Sequence, residues 1–245
     1  MTAHDKNYLY YDFVFEKRYG ANYTEFTRHS LKAIDELGNN KLRILDFGCG
    51  TGRLAIPLAQ KGHFVFGVDK CEGMLEVLRK KASEAGLDIP TANTLSQVNV
   101  FDFDLALSVF TVNNYISDSE ELKSTFQSVY DRLKSGGLFL FDLSKQKLYE
   151  NAFLSKNGVI QNKHENDFYD YVKIFFHMNL EHCDYTEKTS GILPTGETFK
   201  YEENFILRFW SPSFVKDLLT EIGFVDTCKQ FNIAFDADYF LFKKP

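Results

Sequence analysis

The stretch KLRILDFGCGTGRLAIPLAQK, residues 41–61, predicts a strand, a glycine-rich bend and a helix in direct succession. Residues 41–47 are mostly apolar and predict a buried strand, and residues 52–61 predict the helix. Between them lie Gly48, Gly50 and Gly52, which let the backbone turn tightly and approach a ligand closely. The first turn of the helix also offers N–H groups that have no intrahelical partner. The stretch therefore predicts a ligand site at the end of this strand.

An acid on the next strand indicates which ligand this is. Asp69 stands nineteen residues beyond Gly50, at the end of a second predicted strand, 63–69. A carboxylate at this place can accept hydrogen bonds from both ribose hydroxyls of a nucleoside. Arg53 occupies the place of the third glycine of a dinucleotide fingerprint. Asp46 would repel a pyrophosphate and suits a cation, such as the ammonium of a methionyl group. We expect Asp69 to face a wet cleft, so that replacing it weakens cofactor binding and changes folding stability little.

Strands and helices alternate along most of the chain, which predicts a mostly parallel sheet covered on both faces, an α/β, doubly wound fold. Ser117 and Glu120 form a capping box that begins one helix, Gly136 and Gly137 end it, and Ser211 begins another. The predicted helices span 22–37, 52–61, 72–86, 117–135 and 211–222. The seven predicted strands span 41–47, 63–69, 89–95, 103–109, 138–143, 224–231 and 238–244.

The alternation stops near residue 150. Residues 158–207 show strand-like runs without a good helical pattern, and LPTGET (193–198) predicts a turn between two of them. We therefore expect a small antiparallel insert of three or four strands over 150–207, which acts as an acceptor lid or a dimer face. The remaining residues, 1–149 and 208–245, form the main domain with an N-terminal helical segment.

The pattern D-x-G-x-G-x-G (46–52), followed by the ribose acid Asp69, resembles the fingerprint of class I S-adenosylmethionine (SAM)-dependent methyltransferases. Residues 67–82, 103–116, 132–143 and 205–244 are similar to later blocks of the same family. The resemblance implies a Rossmann-like sheet and SAM as the cofactor. The insert and the aromatic N-terminal segment are similar to the small-molecule subgroup, which includes sugar N,N-dimethyltransferases.

The resemblance also implies which residues bind the cofactor. The methionyl end, with Cys49 acting through its backbone, is assigned to Asp46, Gly48, Cys49 and Gly50. The ribose is assigned to Asp69, and the adenine surroundings are assigned to Lys70, Met74, Asn93 and Thr94. The surroundings of the sulfonium are assigned to Ser108, Val109 and Phe110. Two rings from the N-terminal segment, those of Tyr11 and Tyr23, are expected to close over the cofactor.

The acceptor is expected to be a small molecule with a nitrogen or oxygen nucleophile. An amine needs no dedicated base once it has lost its proton, whereas an oxygen nucleophile needs a general base, for which we name His177, His182 and Asp142. The chain has 28 basic and 34 acidic residues, a net charge of −6, which argues against a nucleic-acid partner. The loop Phe110–Tyr115 also lacks the N/D-P-P-Y/F motif of nucleic-acid methylases.

Composition supplies the remaining expectations. Four scattered cysteines without a CxxC pair predict reduced thiols, no metal and a cytoplasmic protein. No apolar stretch predicts a membrane span or a signal peptide, and a monomer or homodimer is expected. Two alternatives stay open from the sequence. One is a catalytically silent SAM-binding partner or sensor. The other is a nicotinamide-dependent oxidoreductase, which Arg53 and Asp46 disfavour.

Overall fold

The computed structural model describes residues 4–38, 40–155, 159–164, 169–178 and 181–245, which form two separate sheets. The larger sheet has the order β10-β11-β5-β4-β1-β2-β3, and β11 is antiparallel to both of its neighbours while the other pairs are parallel. Its strands are β1 Arg43–Phe47, β2 Phe64–Val68, β3 Thr91–Ala92, β4 Phe103–Ser108, β5 Leu133–Ser144, β10 Val225–Asp226 and β11 Ala237–Lys243. This confirms the predicted seven-stranded, mostly parallel sheet.

Helices cover both faces of this sheet because neighbouring strand residues point to opposite sides. Ile44 packs with the helices before β4, whereas Leu45 packs with the helices that follow it. The helices are α1 Tyr11–Tyr19, α2 Ala21–Asp35, α3 Ala55–Gln60, α4 Glu72–Glu84, α5 Ser119–Arg132, α6 Gln146–Ser155 and α7 Pro212–Ile222. Residues of α2, α3 and α4 lie in one core and residues of α5 and α7 in the other, so the fold is doubly wound. None of the helices in the described ranges is long and apolar enough to cross a membrane.

Several predicted boundaries are wrong. The cap of α5 is Asp118 and not Ser117, because the Asp118 carboxylate accepts the Glu121 N–H at 2.8 Å. The strand β5 begins at Leu133 and runs through the glycine pair that was expected to precede it. Strands were predicted over 89–95 and 224–231, but the strands observed there, β3 and β10, have only two residues each. The helix α1 was not predicted, although Tyr11, Phe15 and Tyr19 recur at four-residue helical spacing, and α6 was not predicted either.

The smaller sheet confirms the antiparallel insert. Its order is β6-β7-β8-β9, and its strands are β6 Val159–His164, β7 Tyr169–Met178, β8 His182–Ile192 and β9 Thr198–Arg208. Along β9, buried and exposed residues alternate strictly. The buried side packs on α1, where Val14 and Phe15 meet Phe199 and Tyr201. The insert is therefore held against the N-terminal segment, and together they cover the carboxyl ends of the parallel strands.

Candidate active site

The glycine-rich loop after β1 passes over the end of β2. The N–H groups of Gly48 and Cys49 donate to the Val68 carbonyl at 2.7 and 3.1 Å. Gly48 has φ +78°, and a Cβ there would lie 2.3 Å from Val112 Cγ2, so neither the backbone nor the space admits a larger residue. A Cβ on Gly50, by contrast, would meet nothing within 4 Å. The loop is tightly packed on its inner side and open toward the adjoining cavity.

Asp69 follows β2 and holds this loop. One carboxylate oxygen accepts the Gly50 N–H and the other accepts the Cys71 N–H, both at 2.9 Å. Burial raises the pKa of Asp69, and these two N–H donors oppose that rise. Each carboxylate oxygen has a second lone pair, so both can still accept a hydroxyl. The acid can therefore bind a ribose while it fixes the loop.

Asp46, the last residue but one of β1, lies at the inner end of the site. It is 4% exposed, and its carboxylate has no hydrogen-bond donor in the part of the chain that the structure describes. Burial raises the pKa of Asp46 to about 7, the nearby Asp69 adds to this rise, and Arg53 opposes it. The Arg53 guanidinium lies over the Phe110 ring, 4.4 Å from its centroid. A buried acid without a donor at a cavity wall favours a cationic ligand group.

A cavity of about 610 Å³ joins these groups. On one side it is lined by the glycine loop, Asp46 and the start of α4, and on the other by the N-terminal segment, the loop after β4 and β9. Ligand cavities of this kind commonly enclose about 300–1,000 Å³. Among the described residues, no three His, Cys, Asp or Glu side chains are grouped so as to hold a metal ion. The cavity therefore has room for an organic ligand, and Asp46 and Asp69 lie at one end of it.

Comparisons with known proteins agree on one family. A family model described as "Methyltransferase domain" matches residues 44–137. A Geobacillus sp. (strain WCH70) protein, provisionally named a methyltransferase, is 30% identical over 229 residues, which cover 91% of this chain and 89% of that protein. The chain is a class I SAM-dependent methyltransferase. SAM is therefore its cofactor, and the nicotinamide-dependent alternative is wrong.

Solved structures of methyltransferases share the fold. A SAM-dependent methyltransferase from Clostridium acetobutylicum superposes with a TM-score of 0.78 at 22% identity, covering 96% of this chain and 98% of that one. CalS10, an amino pentose methyltransferase from Micromonospora echinaspora, superposes with a TM-score of 0.70 at 14% identity, covering 96% of both chains. The coverage shows that the insert and the N-terminal segment belong to the shared architecture.

Most of the predicted cofactor residues of this methyltransferase line the cavity. They are Tyr11, Asp46, Gly48, Cys49, Gly50, Asp69, Lys70, Met74, Val109 and Phe110. Met74 is only 2% exposed and also packs in the interior, and Lys70 forms an ion pair with Glu121 at the rim. The Cys49 side chain lies away from the open side of the loop, against Gly67, and burial raises the pKa of its thiol well above the usual value.

Four other predicted cofactor residues do not line the cavity. Ser108 is fully buried beneath it and donates to Asn113 Oδ1 at 3.1 Å. Tyr23 packs beside Phe110, and its buried hydroxyl has no partner in the described ranges. Asn93 stands next to the ribose acid, where its side-chain amide donates to the Asp69 carbonyl at 3.4 Å. Thr94 caps a short turn. Their assigned contacts with the cofactor stay predictions.

Asp142 is the best-placed of the three candidate bases, but it does not line the cavity. It is 1% exposed, and its two oxygens accept the N–H groups of Phe110 and Thr111 at 2.8 Å each. Those two residues have left-handed φ values of 75° and 65°, so the carboxylate holds a strained loop in place. His182 begins β8 outside the cavity lining, and the His177 side chain lies outside the described residues.

Sequence reasoning missed the residues on the side of the cavity opposite the glycine loop. His4, Tyr115, Glu203 and Phe205 line the cavity opposite the glycine loop. Burial lowers the pKa of His4 to about 4, so its ring is neutral near pH 7. One sequence pattern could have found Glu203, because it is an acid among the apolar residues on the buried side of the alternating strand β9. No local pattern identifies His4.

Proposed function

We propose that this protein transfers the methyl group of SAM to a nitrogen or oxygen atom of a small molecule held in the same cavity. The observation that carries the proposal is the continuity of the cavity. Its acidic end, at Asp46 and Asp69, suits the cofactor, and its aromatic end, at His4, Tyr115 and Phe205, is left for an acceptor. Both ends open into one space, so an acceptor atom can meet the methyl group directly.

The residues at the acidic end fit SAM. The Asp46 carboxylate would bind the methionyl ammonium, which would supply the hydrogen-bond donor that this buried acid lacks. Asp69 would accept both ribose hydroxyls through its remaining lone pairs. Met74 and Lys70, at the rim beyond it, would flank the adenine. Tyr11, which lines the cavity from α1, would cover the bound cofactor.

The aromatic end supports a small acceptor over a macromolecule. The N-terminal segment contributes His4, and the insert contributes Glu203 and Phe205, so chain from both regions walls the cavity. Such walls favour an acceptor small enough to enter the cavity. The net charge of −6 further argues against a nucleic-acid acceptor. On this proposal the insert is the lid over the acceptor, and no nucleic acid or membrane takes part.

Methyl transfer requires the protein chiefly to position the acceptor against the methyl group. When bound, SAM supplies a sulfonium methyl group that is already strongly electrophilic. Holding a nucleophile in line with that carbon contributes several kcal/mol, roughly 7–11 kcal/mol in the best-oriented cases. The Phe110 loop, fixed by Asp142, lies at the end of β4 and shapes the cavity wall. The Phe110 loop and Asp142 would thereby fix the direction from which the nucleophile approaches the methyl carbon.

Label transfer tests the proposal. The purified protein is incubated with SAM carrying a ¹⁴C-methyl group and with three fractions of a bacterial lysate: low-molecular-mass compounds, proteins and nucleic acids. We expect label in a low-molecular-mass compound that separates from SAM by chromatography, and in neither the protein nor the nucleic-acid fraction. Asp46→Asn should abolish most of the transfer, while Glu202→Gln, which changes an exposed acid on the outer side of β9, should transfer as the wild type does. Label in protein or nucleic acid only, or in no fraction, would contradict the proposal.

A further inference from the structure

Glu203 is the acid on the acceptor side of the cavity. It lies on the inward side of β9 between Tyr201 and Phe205, lines the cavity and is 3% exposed. Its oxygen Oε1 accepts the Lys6 N–H at a long 3.4 Å. Its oxygen Oε2 is buried and has no hydrogen-bond partner within the described chain. A buried carboxylate oxygen without a donor costs free energy that a ligand donor would recover.

The nearby cations are already engaged by another acid. Glu187 on β8 lies directly opposite Glu203 in the register, and it is also buried. The Arg18 guanidinium binds both Glu187 oxygens, at 3.1 and 2.9 Å, and Lys173 lies 3.3 Å away from the same carboxylate. These cations lower the pKa of Glu187 to about 2. Glu203 therefore stands next to a fixed negative charge and has no ion pair in the described residues.

These surroundings decide the protonation of Glu203. Burial raises its pKa to about 7, Glu187 and Asp5 add to the rise, and the backbone N–H groups of Lys6 and His4 oppose it. The carboxylate and the acid are thus both populated near neutral pH. A group in this state can accept a proton and release it again.

Aromatic rings complete the wall around this acid. The His4 ring lies 5.1 Å from the Tyr11 ring, 5.8 Å from the Tyr115 ring and 5.2 Å from the Phe205 ring, measured between centroids. All four of these residues line the cavity. Because His4 is neutral near pH 7, this wall carries no positive charge of its own. Aromatic faces beside a carboxylate form a site that favours an organic ammonium ion.

We propose that Glu203 binds the acceptor through a cationic amino group and removes a proton from it, so that the methylated atom is the nitrogen of a small primary or secondary amine. The inference rests on the proposed function, since it names the acceptor class and the proton acceptor for that same cavity. Glu203 would touch the reacting atom, and its role is catalytic.

The step balances as follows. The Glu203 carboxylate takes one proton from the ammonium, which leaves a neutral amine with a lone pair. That pair forms the N–C bond to the methyl carbon while the C–S bond breaks, and the electrons of the broken bond stay on sulfur. The products are the methylated ammonium and S-adenosylhomocysteine (SAH). The proton on Glu203 passes to solvent after release, which regenerates the carboxylate.

Binding of matched probes to the SAH complex tests this without the natural acceptor. The probes are benzylamine against benzyl alcohol and cyclohexylamine against cyclohexanol, titrated by calorimetry. We expect the ammonium member of a pair to bind about 10- to 100-fold more tightly than its alcohol, the range for one hydrogen bond to a charged group. Glu203→Gln keeps the side-chain volume and should remove this preference. Glu202→Gln, the neighbour on the outer side of β9, should keep it.

A pH series on the unmodified protein gives a second readout that needs no variant. Ammonium affinity should rise as the pH passes through about 7, where Glu203 ionises, while these amines stay protonated. The inference is overturned if no pair favours its ammonium member, whether both bind alike or neither binds, or if Glu203→Gln leaves the preference intact. SAH binding is measured first. A protein that does not bind SAH contradicts the proposed function, whereas one that binds SAH but prefers no ammonium contradicts this inference alone.

Discussion

Replacing Asp69 with Asn separates cofactor recognition from loop stability. The carboxylate accepts N–H groups from Gly50 and Cys71, so we expect Asp69 also to contribute to the stability of the folded loop. The Asn side chain keeps one carbonyl acceptor and turns an NH₂ toward the other N–H donor. Losing one bond to a charged group costs about 1.5–3 kcal/mol. Because burial raises the pKa of Asp69, removing its charge recovers part of that cost. We expect a net loss of about 1 kcal/mol in the free energy of unfolding of the apo protein.

The effect on the cofactor should be larger. Two hydroxyl bonds to the carboxylate would be lost or weakened, which predicts a loss of about 2–4 kcal/mol in SAH affinity, roughly 30- to 1,000-fold. Isothermal calorimetry with SAH and urea unfolding of the apo protein measure the two quantities on the same preparation. Glu76→Gln is the matched control, because this acid is exposed on the same helix, α4, and does not line the cavity.

The prediction for SAH affinity and the prediction for unfolding stability can each be refuted separately. A folded Asp69→Asn protein that binds SAH within about threefold of the wild type would refute the ribose assignment, since one lost charged bond alone predicts more than tenfold. An unfolding midpoint equal to that of the wild type, with SAH binding lost, would show that the bonds to the loop add nothing to stability. An equal loss of SAH affinity in Glu76→Gln would show that the effect comes from the lost negative charge and not from a contact between Asp69 and the cofactor.

Three further predictions concern the glycine loop, the Phe110 loop and the acids beside them. Asp142→Ala should lower the free energy of unfolding by about 2–5 kcal/mol in urea titrations, because the N–H groups of Phe110 and Thr111 lose a charged acceptor. A loss below about 1 kcal/mol would contradict the role of Asp142 in holding the Phe110 loop. Asp46 has a folded pKa of about 7, above its unfolded value, so the stability tied to its protonated form is present at low pH and lost as the pH rises through about 7. Asp46→Asn should therefore raise the apo melting temperature above that pH and flatten its decline, and an unchanged thermal profile across pH would count against this. Gly48→Ala should destabilise the protein by about 1–2 kcal/mol through its left-handed φ and further through contact with Val112. Adding Val112→Ala should recover only the part that comes from the contact. Full recovery would show that the φ of Gly48 causes no strain.

The local parts of the site could be predicted from the sequence. The glycine loop, Asp46 and Asp69 are set by residues close together in the chain, and a parallel sheet brings the ends of neighbouring strands to one edge. The same reasoning located the insert, because a change from helical to alternating periodicity is a local property. It failed at Ser117 and Asp118, where two residues can each cap α5 and the backbone geometry selects one.

The sequence by itself determined the doubly wound sheet, the glycine loop with its two acids and the family, since each depends on short patterns with a direct physical meaning. The end of the cavity that we propose for the acceptor was decided only by tertiary structure. His4 and Glu203 come from opposite ends of the chain and meet because the insert packs on α1 through the Arg18–Glu187 pair. Asp142 became a loop anchor because β5 lies beside β4 and points its carboxylate at the backbone of Phe110. Burial is the largest cause of the shifted pKa values of His4, Asp142 and Glu203. It is a property of the packed molecule and of no single segment.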